Sequence, residues 1–129
     1  MAAFLLDTNV LIGLRDGDPE MTARVAALDG AILMSIISRV ELEGGVHRDP
    51  SQAGLRRPRL DALLAALPVL AFDDTAADAY RGIVESAGYS RRKLLDRMIA
   101  AQALVHRATL VTANPADFQD VPGLDLLAW

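Results

Sequence analysis

The chain has 129 residues, 52% of them hydrophobic, which is enough material for one core of ordinary domain size. It contains no Cys, which excludes disulfides, zinc knuckles and thiol chemistry and suits a reducing compartment such as the cytoplasm. The formal charge of -4, from 17 acidic and 13 basic residues, argues against a non-specific nucleic-acid binder unless the acidic groups are gathered in one place.

Apolar runs of strand length alternate with longer stretches of helical periodicity, the sign of a parallel sheet with crossover helices, so the class is α/β. Residues 2–6 (AAFLL) read as a buried strand. The triplet Asp7-Thr8-Asn9 that follows is built from N-capping residue types and could simply end that strand and open a helix. Asp18-Pro19 reads as an N-cap with proline at the first helical position, opening a helix through about Leu28. A strand at 31–34 (AILM) leads to a helix carrying "SRVELEGG". Residues 47–57 (HRDPSQAGLRR) are polar and turn-rich and read as a mobile loop over a site. Pro58 interrupts the next stretch, whose remainder, "RLDALLAAL", is amphipathic to Leu67. A strand at 69–72, helices at 75–87 and 96–107, a strand at 109–112 and a weaker one at 124–127 complete the chain. With no repeat, low-complexity tract or linker, residues 1–129 read as a single domain with a mostly parallel sheet of about five strands flanked by helices. No basic region precedes the first apolar stretch, and no run approaches the ~20 apolar residues of a membrane span, so neither export nor a membrane anchor is expected.

In open α/β sheets the loops diverge at the carboxyl ends of the strands, and ligands bind there. Asp7 follows the first strand at once, and Glu41 lies on the first turns of the helix after the second. Asp96 begins the helix "LLDRMIAAQAL", and Asn114 and Asp117 lie in the loop after the strand ending at Thr112. Four separated segments therefore deliver acidic groups to one edge. Each has a plain structural use: Asp7 and Asp96 as helix caps, Glu41 in a capping box with Ser38, Asp117 in an Asx-type turn. Together, however, four converging carboxylates repel one another and either raise each other's pKa or recruit cations. All-oxygen ligands favour a hard ion such as Mg²⁺ or Mn²⁺, and His47 and His106 read as surface or helix-end residues, not zinc ligands. Around such a site the rest of the surface would be neutral. The basic clusters Arg56, Arg57, Arg59 and Arg91, Arg92, Lys93 would then be free to face phosphate, or would be ordinary solvated surface.

The segments "LLDTNVLI", "ELEGG", "LDRMIAAQAL" and "LVTANPADF" followed by "PGLDLLAW" resemble, in order and spacing, the motifs of PIN-domain ribonucleases, specifically the VapC toxins of bacterial toxin-antitoxin pairs. The resemblance runs from residue 4 to Trp129. It implies a PIN-like α/β fold in which Asp7, Glu41, Asp96 and Asp117 form an acidic, catalytic metal site for Mg²⁺ or Mn²⁺, with Thr8, Asn9, Thr112 and Asn114 as supporting polar groups. Two positions depart from the pattern: Leu95 and Ala113 stand where relatives commonly carry polar or basic residues. The implied activity is metal-dependent endoribonuclease cleavage of structured RNA, tRNA or rRNA, by an activated water, leaving 3'-hydroxyl and 5'-phosphate ends. Arg91, Arg92 and Lys93 are expected on the RNA backbone. The implied partners are a VapB-type antitoxin that covers the crevice, operator DNA reached only through that antitoxin, and a second copy of the chain. The apolar positions of the helix at 20–28 are candidates for the dimer contact, or are plain core.

Competing enzyme classes fit less well. An aspartyl-phosphate hydrolase wants Asp where Asn9 stands and a Lys in the later motif, whereas Lys93 is the sole Lys. No "GxxxxGK" or "GxGxxG" run is present. The remaining alternative is a non-catalytic PIN-like module binding RNA or protein, which predicts lost carboxylates; all four positions are acidic here.

Overall fold

A computed structural model describes residues 2–129. Five strands, Ala3–Leu6 (β1), Ala31–Ser35 (β2), Val69–Leu70 (β3), Thr109–Thr112 (β4) and Leu126–Ala128 (β5), form one sheet in the order β3-β2-β1-β4-β5, and every pairing is parallel. The crossovers are helices Thr8–Arg15 (α1), Pro19–Ala26 (α2), Ile36–Arg48 (α3), Ala53–Ala66 (α4), Asp74–Ala87 (α5) and Leu94–His106 (α6). Central β1 pairs with β2 (Leu6 opposite Met34) and with β4 (Leu6 opposite Val111), so the carboxyl ends of these three strands lie side by side.

Alternation along the strands divides the core into two halves. Leu5 and Leu110 face a cluster with Ile83 of α5, Ile99, Ala100 and Ala103 of α6, and Phe118. Leu6, Met34 and Val111 face the other way, against Val10 and Leu11 of α1, Leu42 and Val46 of α3, and Leu60 of α4. Helices thus cover both faces, as an all-parallel sheet requires. Fully buried Gln102 ties α6 to the strand ends: it accepts from the Ser35 hydroxyl and donates to the carbonyls of Leu70 (3.0 Å) and Ala71 (3.1 Å). At the entry to β2 only glycine fits, since a Cβ on Gly30 would lie 2.4 Å from the Ala2 carbonyl oxygen.

Two sequence expectations are corrected. Residues 47–57 are not a loop: α3 continues to Arg48, a 3₁₀ turn occupies Pro50–Gln52, and α4 begins at Ala53. Asp49 organises this junction by accepting from the Ser51 N–H (3.1 Å) and hydroxyl (2.7 Å), with Pro50 at the first position of the turn. Pro58 lies inside α4 and does not open it; the carbonyl its missing N–H leaves free is that of exposed Gly54. On α2, the half-buried Met21 and Val25, and Leu28 just beyond it, pack against the chain's own core. Element ends also differ: α2 stops at Ala26, β3 is only Val69–Leu70, and β5 is Leu126–Ala128.

Candidate active site

The end of β1 delivers Asp7 as the N-cap of α1, its backbone extended at φ -64°, ψ 156°. Its side chain is buried, and both oxygens are engaged. Oδ1 accepts from the Thr8 N–H (2.8 Å), and Oδ2 accepts from the Thr112 hydroxyl (2.8 Å) at the end of β4. Thr112 Oγ1 in turn accepts from the Asn114 N–H (3.0 Å). The Thr8 hydroxyl donates to Glu41 Oε1 on α3 (2.8 Å) and lies 2.8 Å from the Ser38 hydroxyl. Thr8 has one proton to give, so Ser38 is the donor in that second contact. Asp96 stands in the first turn of α6 and Asp117 in a 3₁₀ turn, Pro115–Phe118; among the described residues neither carboxylate accepts a hydrogen bond.

Asp7, Glu41, Asp96 and Asp117 all line one cleft of about 1130 Å³. Its electrostatics are those of crowded like charge. Burial pushes the Asp96 carboxyl up to about 6, and the charges of Asp7, Asp117 and Glu41 push the same way, against a small pull from Arg92. Burial also raises Asp7; hydrogen bonds from Thr112 and Thr8 pull it back, and Asp117 adds to the rise. Among the described residues no three acidic side chains stand close enough to grip one ion together. A hydrated hard cation takes one or two carboxylates and keeps several of its waters, so it does not need three.

Residues 4–124 match the family model described as PIN domain. The chain belongs to the PIN-domain family. It is 26% identical to Ribonuclease VapC2 of Rickettsia felis over 98% of this chain and 97% of that one. In structure it is similar to a chain of the Rickettsia felis VapBC2 crystal structure bound to a promoter DNA fragment, with TM-score 0.83, 26% identity and 98% of each chain covered. A chain of DNA-bound VapBC from Salmonella typhimurium superposes with TM-score 0.84 at 25% identity, covering 100% of this chain and 99% of that one. The α/β expectation and the resemblance both stand.

Within this PIN domain the expected polar groups divide by position. Thr8 and Thr112 are buried and orient carboxylates, Asn9 lines the cleft, and Asn114 contributes its backbone N–H. The basic triplet is split. Arg91 and Arg92 are exposed, but the Lys93 ammonium is held by Asp120 (2.9 Å), which also binds Arg97 (2.9 Å). Because Asp120 follows Asp117 by three residues and Arg97 adjoins Asp96, this bridge ties together the two segments that carry unpartnered carboxylates. His47 and His106 are exposed at helix ends.

Sequence reasoning missed Ser38 as a hydrogen-bond partner of Thr8 and missed Arg15, Gly44, Gly45 and Arg48 in the far half of the cleft, where Arg56, read as able to face phosphate, also lies. A signal existed. Thr8, Ile12 and Arg15 on α1 follow i, i+4, i+7, and Glu41, Gly44, Gly45 and Arg48 on α3 follow i, i+3, i+4, i+7, so each helix turns one stripe to the same cleft. No described helix is long and apolar enough to cross a membrane.

Proposed function

We propose that this PIN domain, residues 1–129, is a Mg²⁺- or Mn²⁺-dependent endoribonuclease, the toxin of a VapBC-type pair, cutting structured RNA of the tRNA or rRNA class in the cytoplasm. The observation that carries this reading is the convergence of Asp7, Glu41, Asp96 and Asp117 on one cleft with the Asp96 carboxyl raised to about 6, a field that calls for a cation. Asp7, Asp96 and Asp117 would hold the ion directly or through water, with Glu41 at a second ion or at the attacking water. When bound, such an ion acidifies a water and neutralises charge gathering on phosphorus.

The chain's own residues do the positioning. Thr8 and Thr112 fix both Asp7 oxygens and leave each a second lone pair facing the cleft. Thr8 also fixes one oxygen of Glu41, so the other can accept a proton from water. Exposed Arg91 and Arg92 lie on the segment leading into α6 and would take up RNA phosphates beside Asp96. In-line attack by water expels the 3'-oxygen, leaving 3'-hydroxyl and 5'-phosphate ends. The reading includes a VapB-type antitoxin that covers the cleft with a basic side chain at the carboxylates, operator DNA reached through that antitoxin, and a homodimer. Support comes from the relatives named VapC and from the solved VapBC complexes whose chains this one resembles.

The test is cleavage of total RNA by antitoxin-free protein with Mg²⁺ or Mn²⁺ and with chelator, beside Asp96→Asn. Metal-dependent cutting lost in Asp96→Asn supports the reading. Cleavage unaffected by chelator or by Asp96→Asn, or products ending in 2',3'-cyclic phosphate, overturns it.

A further inference from the structure

Helix α3 carries two adjacent glycines in mid-helix, Gly44 and Gly45, each costing roughly 1 kcal/mol of helix stability against alanine. Neither turns the chain, and α3 runs straight through them. Space explains one of them: a Cβ on Gly45 would stand 3.1 Å from Arg15 Nη1, and the Gly45 carbonyl accepts from Arg56 Nη1 (2.9 Å). Gly44 is different. A Cβ there would meet nothing within 4 Å, so nothing in the protein itself calls for glycine, yet Gly44 lines the cleft.

Around this bare stretch of helix stand Arg15, Arg48 and Arg56. Arg15 is almost fully buried and pairs with Asp16 (3.1 Å), and Asp49 accepts from Ser51, so three arginines stand against two carboxylates at this end. Glu41 and Arg48 are seven residues apart on one helix, and Thr8 and Arg15 are likewise seven apart on another, which places the arginine end about 10 Å from the carboxylates. We propose that the Gly44–Gly45 surface with Arg15, Arg48 and Arg56 is a phosphate subsite, holding an RNA backbone phosphate one or two nucleotides along the strand from the one that is cut. The bare helix lets the strand approach, and the arginine forks meet its oxygens. The cleft is then polarised along its length, with carboxylates at one end and arginines at the other. This inference rests on the ribonuclease reading for its ligand.

The test measures binding, not cutting. A single-stranded RNA oligonucleotide is titrated against Asp96→Asn protein in Mg²⁺ over a range of salt, with Arg48→Gln, Arg56→Gln and Gly44→Ala added singly. Each arginine change is expected to weaken binding by roughly tenfold and to lower the slope of log affinity against log salt by about 0.7. Gly44→Ala is the sharper variant: it fits the free protein, so the melting temperature rises while RNA binding weakens. A role in folding alone would leave binding unchanged. Unchanged affinity and salt slope in all three variants overturn the subsite, as does a loss confined to antitoxin binding. Arginine-dependent binding by a protein that never cuts RNA would keep the subsite and sink the nuclease; cutting with no such dependence would do the reverse.

Discussion

Asp7, at the end of β1, and Asp96, in the first turn of α6, both have raised carboxyl pKa values, but they are held in opposite ways. Asp7 is buried and wired, each oxygen fixed by a donor from a different element. Among the described residues Asp96 has no hydrogen-bond donor, and it is pushed up chiefly by burial and by three like charges. The first is preorganised by the sheet; the second is stored repulsion that a cation would relieve. On the proposed reading, Asp7 would set where an ion sits and Asp96 how strongly it is drawn in.

The comparison can be broken at several points. Thr112→Val keeps the β-branched shape and removes the donor to Asp7 Oδ2; activity or metal affinity should fall by roughly 10- to 100-fold, read from cleavage rates across a Mg²⁺ titration. An undiminished rate would mean that Asp7 does not depend on its wiring. Asp7→Ala uncaps α1 and orphans the Thr112 hydroxyl, so metal-free stability should drop by about 2 kcal/mol in urea denaturation. Asp96→Asn should do the opposite and raise stability at neutral pH by about 1 kcal/mol, a figure already reduced for solvent screening of this half-buried group.

The pH dependence follows from the same sign. The folded Asp96 carboxyl sits at about 6 against an ordinary value of 3.8. Below the lower value it is protonated in both states and costs nothing. As pH rises between the two, the unfolded chain releases its proton first and stability falls; above the upper value the loss is constant. Asp96→Asn should flatten metal-free stability across that window, and millimolar Mg²⁺ should flatten it in the parent chain. A denaturation series at stepped pH reads both, and an identical profile in the variant would remove Asp96 as the source.

The strands and Asp7 were legible in the sequence because an apolar tetrad followed by a polar residue reads the same in isolation as in the fold; that Glu41, Asp96 and Asp117 line the same cleft was expected from their places beyond the strand ends and from the family resemblance. What failed was the reading of helix junctions. Asp49, Pro50 and Pro58 are ordinary loop signals, yet a 3₁₀ turn capped by Asp49 joins two helices here, and Gly44–Gly45 does not end α3. Lys93 looked like part of a basic patch because Asp120, its partner, is 27 residues away. Arg15 was overlooked because its neighbours in the cleft lie on α3 and α4, and only the paired helical stripes join them.

The bond from Thr112 to Asp7 spans 105 residues, and central β1 acquires one of its two neighbours, β4, only after that interval. At ribosomal speeds this corresponds to roughly 5–20 s during which the first strand and its aspartate wait on the nascent chain for the threonine that fixes them. A site whose first aspartate is fixed by a threonine 105 residues further on cannot be assembled on the nascent chain until that threonine has been made.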